Sequence, residues 1–382
     1  MKTGAIVAFC GILIAASAIS IDSTLPLFPE MVADLGAGYA TIQMTVTIYM
    51  LTAGVAQLFW GPLSDGYGRR PALLAGLAVY LVGCLMSALA PSVEILLAGR
   101  ALQGLGGAAA IVIGRTILRD LFTGATLARH MAMASAVFAA GPIIAPFLGG
   151  GLAYFTGWRG VYGLLALLAG VAVVMTLRLP ETTPSRVARP LAPGPMLQRL
   201  ARILRHPQSR HFLIVAAVSM STMTFIIASA PRLYDEQFGL GGLAFASYFA
   251  LHGFGIIVGQ MANRRLIATI GVVRAMRIAN AVLIVAAALL LATALTGTAT
   301  ALTSTMIFIL YATSFLVVFS NSAALVLDPH GDIAGFTASV YGVVSQGGAG
   351  IIASLLVWLV GGDLAGFSGA LLAVCALCLV LL

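Results

Sequence analysis

Two charged side chains lie inside long apolar stretches of the sequence, where an ionised group is costly and usually has a function. Asp22 precedes the end of the first stretch by about six residues, which corresponds to roughly 9 Å at 1.5 Å per residue. Arg100 follows the start of the fourth stretch by about the same number, so both charges are expected at one depth. Burial raises the pKa of a carboxyl group and a neighbouring guanidinium lowers it, so such a pair could bind and release a proton. The alternative is a static ion pair that fixes two helices to each other.

The composition shows what surrounds these two charges. Of 382 residues, 60% are hydrophobic and 8% are charged, whereas a soluble domain carries about 25% charged residues. So few charges cannot cover an aqueous surface, and lipid must be the solvent for most of the chain. The sequence therefore predicts an all-α membrane protein with twelve transmembrane helices. The predicted spans are 5–27, 41–62, 71–90, 94–117, 130–153, 159–178, 211–231, 243–263, 274–294, 299–320, 335–360 and 364–382.

The basic residues orient these spans. With the N-terminus inside, 17 of the 20 Lys and Arg residues fall on the inner side, as the positive-inside rule requires. The even number of spans then places both termini on the cytoplasmic side of the membrane. The net charge of +8 is explained by this topology, so we expect no nucleic-acid partner. The first apolar stretch continues to Pro26, long enough to cross, and we expect it to be retained rather than cleaved as a signal peptide.

One segment interrupts the succession of spans. Residues 179–210 contain six prolines and six arginines and separate an N-terminal six-helix half, 1–178, from a C-terminal half, 211–382. Within this linker, apolar residues between Met196 and Leu204 share one helical face, opposite three arginines. The pattern predicts a short basic amphipathic helix that could lie on the anionic inner leaflet. A solvated linker helix with no partner is equally compatible with it.

Three motifs stand in the expected order on these spans. Gly61-Pro-Leu-Ser-Asp65-Gly-Tyr-Gly68-Arg69-Arg70 follows span two, Arg100-Ala-Leu-Gln103-Gly104-Leu-Gly106 lies on span four, and Gly141-Pro142-Ile-Ile-Ala-Pro146-Phe-Leu-Gly149-Gly150 lies on span five. They resemble the loop motif, the arginine motif and the proton-antiporter signature of the major facilitator superfamily. Ile21-Asp22-Ser-Thr-Leu25-Pro26 and Gly114-Arg115-Thr-Ile-Leu-Arg119-Asp120-Leu-Phe122 are similar to its Bcr/CflA subfamily of bacterial drug:proton antiporters. The chain departs from that pattern in its acidic inner loop, Asp328-Pro-His330-Gly-Asp332.

The resemblance implies two halves that rock around a central cavity lined by spans one and four. In that fold Asp22 would be the protonation site and Arg100 would tune it electrostatically. A second group would form an ion-pair latch at the inner side: Gly61, Asp65, Gly68, Arg69, Arg70, Arg115 and Arg119. A third would seal the cavity against proton leakage through a kinked, smooth helix face: Gly141, Pro142, Pro146, Gly149 and Gly150. The alternatives are a solvated topogenic loop for the second group and a packing kink for the third.

Five further residues are candidates for the substrate cavity: Gln103, Tyr49, Phe225, Tyr248 and His252. Gln103 could bind substrate or satisfy a neighbouring helix. The aromatic residues could form one apolar pocket, although most aromatic side chains at this spacing pack or face lipid. His252 is a proton-relay candidate, but a lone histidine among apolar residues is usually a packing residue.

These features favour a proton-coupled exporter of amphipathic drugs as the function. Its partners would be the drug, protons and membrane lipids, and we expect it to act as a monomer. No P-loop or zinc motif occurs, so we expect no cofactor, no metal and no enzymatic activity. A proton-coupled transporter of one specific metabolite is the second hypothesis, which the scarcity of polar residues in the second half disfavours. A membrane enzyme is the third, and it would depend on Asp328, His330 and Asp332.

Overall fold

The computed structural model describes residues 3–183, 191–360 and 362–382. Some residues of the sequence prediction lie outside these ranges: Lys2, Pro184, Arg186, Arg189 and Pro190. The first half comprises α1 (Thr3–Asp22), α2 (Phe28–Leu35), α3 (Tyr39–Tyr67), α4 (Arg69–Ala88), α5 (Val93–Leu121) and α6 (Gly124–Leu177). The linker holds α7 (Pro193–Arg205). The second half comprises α8 (Pro207–Phe238), α9 (Gly242–Ala250), α10 (His252–Ile270), α11 (Val272–Leu295), α12 (Ala301–Leu327), α13 (Ala334–Gly342), α14 (Gly348–Val360) and α15 (Leu364–Leu381).

Within the described ranges, eleven helical segments are apolar and long enough to cross a membrane. Helix α6 has 54 residues, or about 81 Å at 1.5 Å per residue, which exceeds twice the roughly 30 Å hydrocarbon core. Its helical geometry is broken at Gly157, where φ is 67° and ψ is 178°. The two parts of α6 therefore correspond to predicted spans five and six. The prediction of an all-α fold with twelve spans is confirmed.

Each half is a bundle of its own helices. In the first half α5 packs against α3 and α4, and α6 packs against α1 and α4; in the second, α12 packs against α8, α10 and α11. The halves meet where α3 lies along α13 and α14, and where α6 lies along α9 and α10. Gly54 of α3 faces the backbone of Gly347, where an added Cβ would lie 3.2 Å from the nitrogen. Small residues at this seam let the two backbones approach closely, as is usual in membrane bundles.

Helix α7 of the linker rests on the second half. Ile203 is fully buried and belongs to an apolar cluster with Leu213 of α8, Val326 of α12 and Tyr341 of α13. The side chains of Leu197 and Leu204, by contrast, are 63% and 41% exposed. The helix therefore has a protein partner, unlike the solvated helix that the sequence left open. Contact of its exposed apolar residues with the inner leaflet remains a proposal.

Candidate functional site

Arg100 lies on α5 and its side chain is fully buried. Its Nη1 donates hydrogen bonds to the Ser20 carbonyl oxygen, 3.2 Å away, and to Gln103 Oε1, 2.7 Å away. Its Nε donates to the Thr45 carbonyl oxygen at 3.2 Å. The Tyr49 ring lies beneath the guanidinium, with 4.6 Å between Cζ and the ring centroid, a cation–π arrangement. In the described part of the chain, this buried cation is held by neutral acceptors and an aromatic face, without a carboxylate partner.

Asp22 is the last residue of α1 and only 4% of it is exposed. Its carboxyl group makes no hydrogen bond or ion pair with any residue that the structure describes. The contact between Ser20 and Arg100 places the last turn of α1 level with Arg100, as the residue count predicts. The Ser20 side chain also faces Arg100, because Arg100 Nη1 donates to Ser20 Oγ at 3.4 Å. Side chains two positions apart on a helix do not share a face, so the same turn directs Asp22 elsewhere. The expected ion pair between Asp22 and Arg100 is therefore absent from this conformation.

Arg100 Nη2 and the hydroxyls of Tyr49 and Tyr162, the two tyrosines beside it, are buried without a hydrogen-bond partner, and so is the hydroxyl of Ser23 just after the end of α1. The Tyr162 ring centroid lies 5.9 Å from the guanidinium carbon. Leaving a buried polar group unpaired costs about 1–3 kcal/mol, so such a concentration is unusual. Sequence reasoning missed Tyr162 and Ser23, because a tyrosine or serine in an apolar span gives no signal that separates it from packing residues.

The loop motif is organised around Arg69, which is 4% exposed. Its Nε donates to Asp120 Oδ2 at 2.8 Å, its Nη1 donates to Ser64 Oγ at 2.9 Å, and it is ion-paired with Asp65. The expectation that Arg115 and Arg119 complete this cluster is wrong for this conformation. The acid that joins α4 to the end of α5 is instead Asp120, whose charge is opposite to that of Arg69.

A second acid, Glu181, binds the start of α4. Its carboxylate accepts hydrogen bonds from the backbone N–H groups of Arg69, at 2.8 Å, and Arg70, at 3.3 Å. Partial burial by itself raises the pKa of this carboxyl, but hydrogen bonds from Thr183, Arg69 and Arg70 bring it below its ordinary value. Gly68, the residue before α4, has a φ of 107°, and a Cβ added to Gly68 would lie 2.5 Å from Glu181 Oε2. The motif therefore ties together helix ends of the first half, and Glu181 was missed because it falls inside the predicted linker.

The glycines of the span-five motif form close contacts at the helix ends that are predicted to face outward. An added Cβ on Gly149 would lie 2.7 Å from the carbonyl carbon of Ser23, beside the end of α1. One on Gly150 would lie 3.2 Å from Cα of Leu243, at the start of α9 in the other half. The remaining members of the motif, all within α6, are Gly141, Pro142 and Pro146. The motif thus joins α6 both to its own half and to the other half.

Comparison with known proteins decides the family. Residues 8–354 match the family model of the Major Facilitator Superfamily. The chain belongs to this superfamily. It is 27% identical over 273 residues to a bicyclomycin resistance protein homolog of Haemophilus influenzae, covering 71% of this chain and 69% of that protein. It is also 27% identical over 342 residues to multidrug resistance protein MdtL of Escherichia coli O81, covering 89% of this chain and 84% of that protein.

A solved transporter structure matches nearly the whole chain. The crystal structure of a D-xylose-proton symporter superimposes with a TM-score of 0.77. The match covers 98% of this chain and 96% of that one at 11% sequence identity. At this identity the likeness establishes the shared fold alone.

The three aromatic cavity candidates belong to one contiguous apolar cluster, in which each has its own ring neighbours. Phe225 packs against Phe367, with ring centroids 4.6 Å apart, inside the second half. The Tyr248 ring lies 6.2 Å from that of Tyr234, also in the second half. Tyr49 lies beneath Arg100 in the first half. A common aromatic pocket formed by the three residues stays a prediction.

The polar cavity candidates are bonded within the protein. Gln103 is fully buried and donates from Nε2 to Cys84 Sγ at 3.2 Å, besides accepting from Arg100. His252 is buried, and its Nδ1 is hydrogen-bonded to the Phe249 carbonyl oxygen. Both contacts match the alternatives in which these residues satisfy neighbouring groups.

The membrane-enzyme hypothesis depends on His330 and the two acids beside it, and the His330 side chain is buried. His330 is 1% exposed, and its Nε2 lies 2.9 Å from Ser209 Oγ. The side chain of Asp332 lies outside the described ones. Among the described residues, no three His, Cys, Asp or Glu side chains are grouped so that they could hold a metal ion.

Proposed function

We propose that this chain is a proton-coupled exporter of amphipathic drugs in the bacterial inner membrane, with both termini in the cytoplasm. Its superfamily membership and its relatives named for bicyclomycin and multidrug resistance support export of drugs. The concentration of basic residues on one side supports the orientation. The observation that carries the coupling mechanism is the pair of buried, mutually unpaired charges, Asp22 and Arg100.

The conformation described here is closed on the outer side. Gln43 Nε2 of α3 donates to the Ala228 carbonyl oxygen of α8 at 2.9 Å, and Tyr39 is hydrogen-bonded to Asp235, so both bonds cross between the halves. A buried carboxyl without partners is far more stable when protonated, because an unpaired buried anion is strongly destabilising. This conformation therefore suits the protonated form of Asp22.

Loss of that proton to the cytoplasm would create a buried carboxylate level with Arg100. Arg100 Nη2 has no partner and could receive it. Helix α1 ends at Asp22, so a rotation of about half a turn in its last residues would bring the carboxylate to the guanidinium. Pairing of Asp22 with Arg100 would thus couple proton release to a movement of the end of α1.

The transport cycle follows from this coupling. With Asp22 deprotonated on the cytoplasmic side, drug binds between the halves. The halves then rock, and protonation of Asp22 from the periplasm separates it from Arg100 and favours release of the drug. The close contacts of Gly149 with Ser23 and of Gly150 with Leu243 would limit proton leakage between α6 and these neighbouring segments.

The test replaces Asp22 with Asn in everted membrane vesicles energised to an acidic interior, with bicyclomycin as the drug. Wild-type vesicles should release protons when the drug is added, and Asp22→Asn should reduce this release by at least about tenfold. The control is Asp34→Asn, a half-exposed acid paired with Arg159, which should retain exchange. Unchanged exchange in Asp22→Asn would remove Asp22 from the mechanism. Proton exchange that only one metabolite elicits, out of a panel of drugs and metabolites, would favour the specific-metabolite hypothesis.

A further inference from the structure

Two adjoining cavities open between the halves at the inner end, the end predicted to face the cytoplasm. Their volumes are about 260 and about 300 Å³. They share six lining residues and together form what we call the inner vestibule: Val112, Thr116, Arg119, Ala334, Gly335 and Ser339. The vestibule is walled by α5 of the first half and α13 of the second, and α7 of the linker contributes Arg199. Cavities of about 300 Å³ and above hold small organic ligands.

Three arginines line the vestibule. Arg115 lines the first cavity, Arg199 lines the second, and Arg119 lines both. Each is exposed, and none forms an ion pair or hydrogen bond with a residue that the structure describes. Asp65 is the acidic residue among the lining residues, and it is already paired with Arg69. The vestibule therefore has an uncompensated positive charge, and its low-dielectric walls focus that field into the cavity.

The remaining wall of the first cavity is largely apolar. Val112, Leu127, Met131 and Ala338 line the first cavity alongside the arginines. A ligand that uses both features has an apolar body and one anionic group. Guanidinium groups bind such an anionic group well, because their planar array of N–H donors matches the oxygens of a carboxylate, sulfonate or phosphate.

Arg119 reaches across to the second half. Its Nη1 would lie 3.3 Å from a Cβ added to Gly335, so the glycine leaves room for the extended guanidinium beside the start of α13. An anion bound to Arg119 would therefore contact both halves. Its binding energy would therefore depend on how the two halves are placed relative to each other during the transport cycle.

We propose that the inner vestibule is a cytoplasmic binding site for amphipathic organic anions, an apolar body with a carboxylate, sulfonate or phosphate group. The proposal rests on the proposed function, because it places the vestibule on the path by which cargo reaches the transporter from the cytoplasm. It names a substrate class that the coupling of Asp22 does not require.

The test measures binding to the purified protein in phosphatidylcholine nanodiscs by calorimetry. The probes share one ring system: naphthalene-2-sulfonate, the neutral naphthalene-2-sulfonamide and a naphthylmethyl trimethylammonium cation. The sulfonate should bind about tenfold or more tightly than the other two, and its affinity should fall with added salt. Arg115→Gln and Arg119→Gln should each weaken the sulfonate about tenfold and leave the sulfonamide unchanged. The control is Arg178→Gln, an exposed inner arginine at the end of α6 that does not line the vestibule.

Several outcomes would overturn the proposal. Equal affinity for all three probes would contradict it. An equal loss of sulfonate affinity in Arg178→Gln and Arg119→Gln would also contradict it, because it would indicate a general effect of positive charge at the inner end. Displacement of the sulfonate by phosphatidylglycerol in the nanodisc would assign the site to a lipid headgroup instead. Proton exchange with bicyclomycin is measured in parallel. If exchange occurs and the sulfonate does not bind, the vestibule proposal fails while the proposed function stands; if the sulfonate binds as expected without exchange, the reverse holds.

Discussion

The contact between Gly149 and the end of α1 gives the sharpest prediction about the span-five motif. The Ser23 carbonyl oxygen would be the atom nearest to a Cβ at this position, and the carbonyl carbon and Cα of Ser23 would lie 2.7 Å and 3.0 Å from it, whereas ordinary contacts begin at 3.4 Å. The neighbouring atoms are backbone, so they cannot turn away as a flexible side chain would. The carbonyl carbon alone requires α1 and α6 to separate locally by 3.4 − 2.7 = 0.7 Å in Gly149→Ala, and the nearer carbonyl oxygen requires a larger separation.

Overpacking of this kind costs about 1–3 kcal/mol, and a clash with backbone belongs at the upper end of that range. An unfolding entropy of about 2.1 cal/mol/K per residue amounts to about 0.8 kcal/mol/K for 382 residues, so a loss of about 3 kcal/mol lowers the Tm by roughly 4 °C. The matched control is Gly151→Ala, two residues further along the same helix, where an added Cβ meets no atom within 4 Å. Alanine is the better helix former by about 1 kcal/mol, so the Tm of this variant should stay the same or rise slightly.

The assay is the thermal unfolding of both variants in one detergent, together with drug-induced proton release in everted vesicles. Gly149→Ala should lower both the Tm and the exchange rate, because α1 carries Asp22 immediately before Ser23. If Gly149→Ala and Gly151→Ala had the same Tm, the close approach of α1 and α6 described here would be refuted.

The loop motif supports two further predictions, both measured as the Tm in detergent. Arg69→Gln should destabilise the protein by about 3 kcal/mol, because it leaves Asp120 buried without its cation. The control is Arg70→Gln, because the Arg70 side chain makes no such contact with a described residue. Equal effects of the two substitutions on the Tm would argue against the pairing of Arg69 with Asp120. Glu181→Gln should cost about 1 kcal/mol or less at pH 7, since the carboxylate is partly exposed to solvent. The pKa of Glu181 is lowered by folding, so its contribution is complete above its ordinary value of 4.5 and is lost as the pH falls through the folded value. The difference between wild type and Glu181→Gln should therefore shrink in acid, and a difference that grew there would contradict the assignment.

Several features of this protein were predictable from local sequence properties. The scarcity of charge requires lipid as the solvent, and apolar runs of fixed minimum length then give the spans. The rise per residue gives the depth of each charge, and the contact of Arg100 with the Ser20 carbonyl supports the depth predicted for that turn. The three motifs indicated the superfamily that the family model confirms.

The partners of the charged residues were not predictable. Asp22 was expected to face Arg100, but the carbonyl oxygen and the hydroxyl of Ser20 occupy that position instead. Arg69 was expected to join a cluster with Arg115 and Arg119, but it binds Asp120. The ring partners of Phe225 and Tyr248, which are Phe367 and Tyr234 in the second half, were likewise not indicated by the sequence.

One physical reason accounts for these differences. In water, a helix shows which side faces the core because its apolar residues recur every 3 to 4 positions. A span in lipid is apolar on all sides, so the sequence determines how deep a side chain lies and leaves undetermined the direction in which it points. Only the packing of neighbouring helices through contacts such as that of Gly149 with Ser23 fixes the rotation of each span. The sequence by itself therefore determined the solvent, the spans and the depth of the charges, and the tertiary structure decided which groups meet.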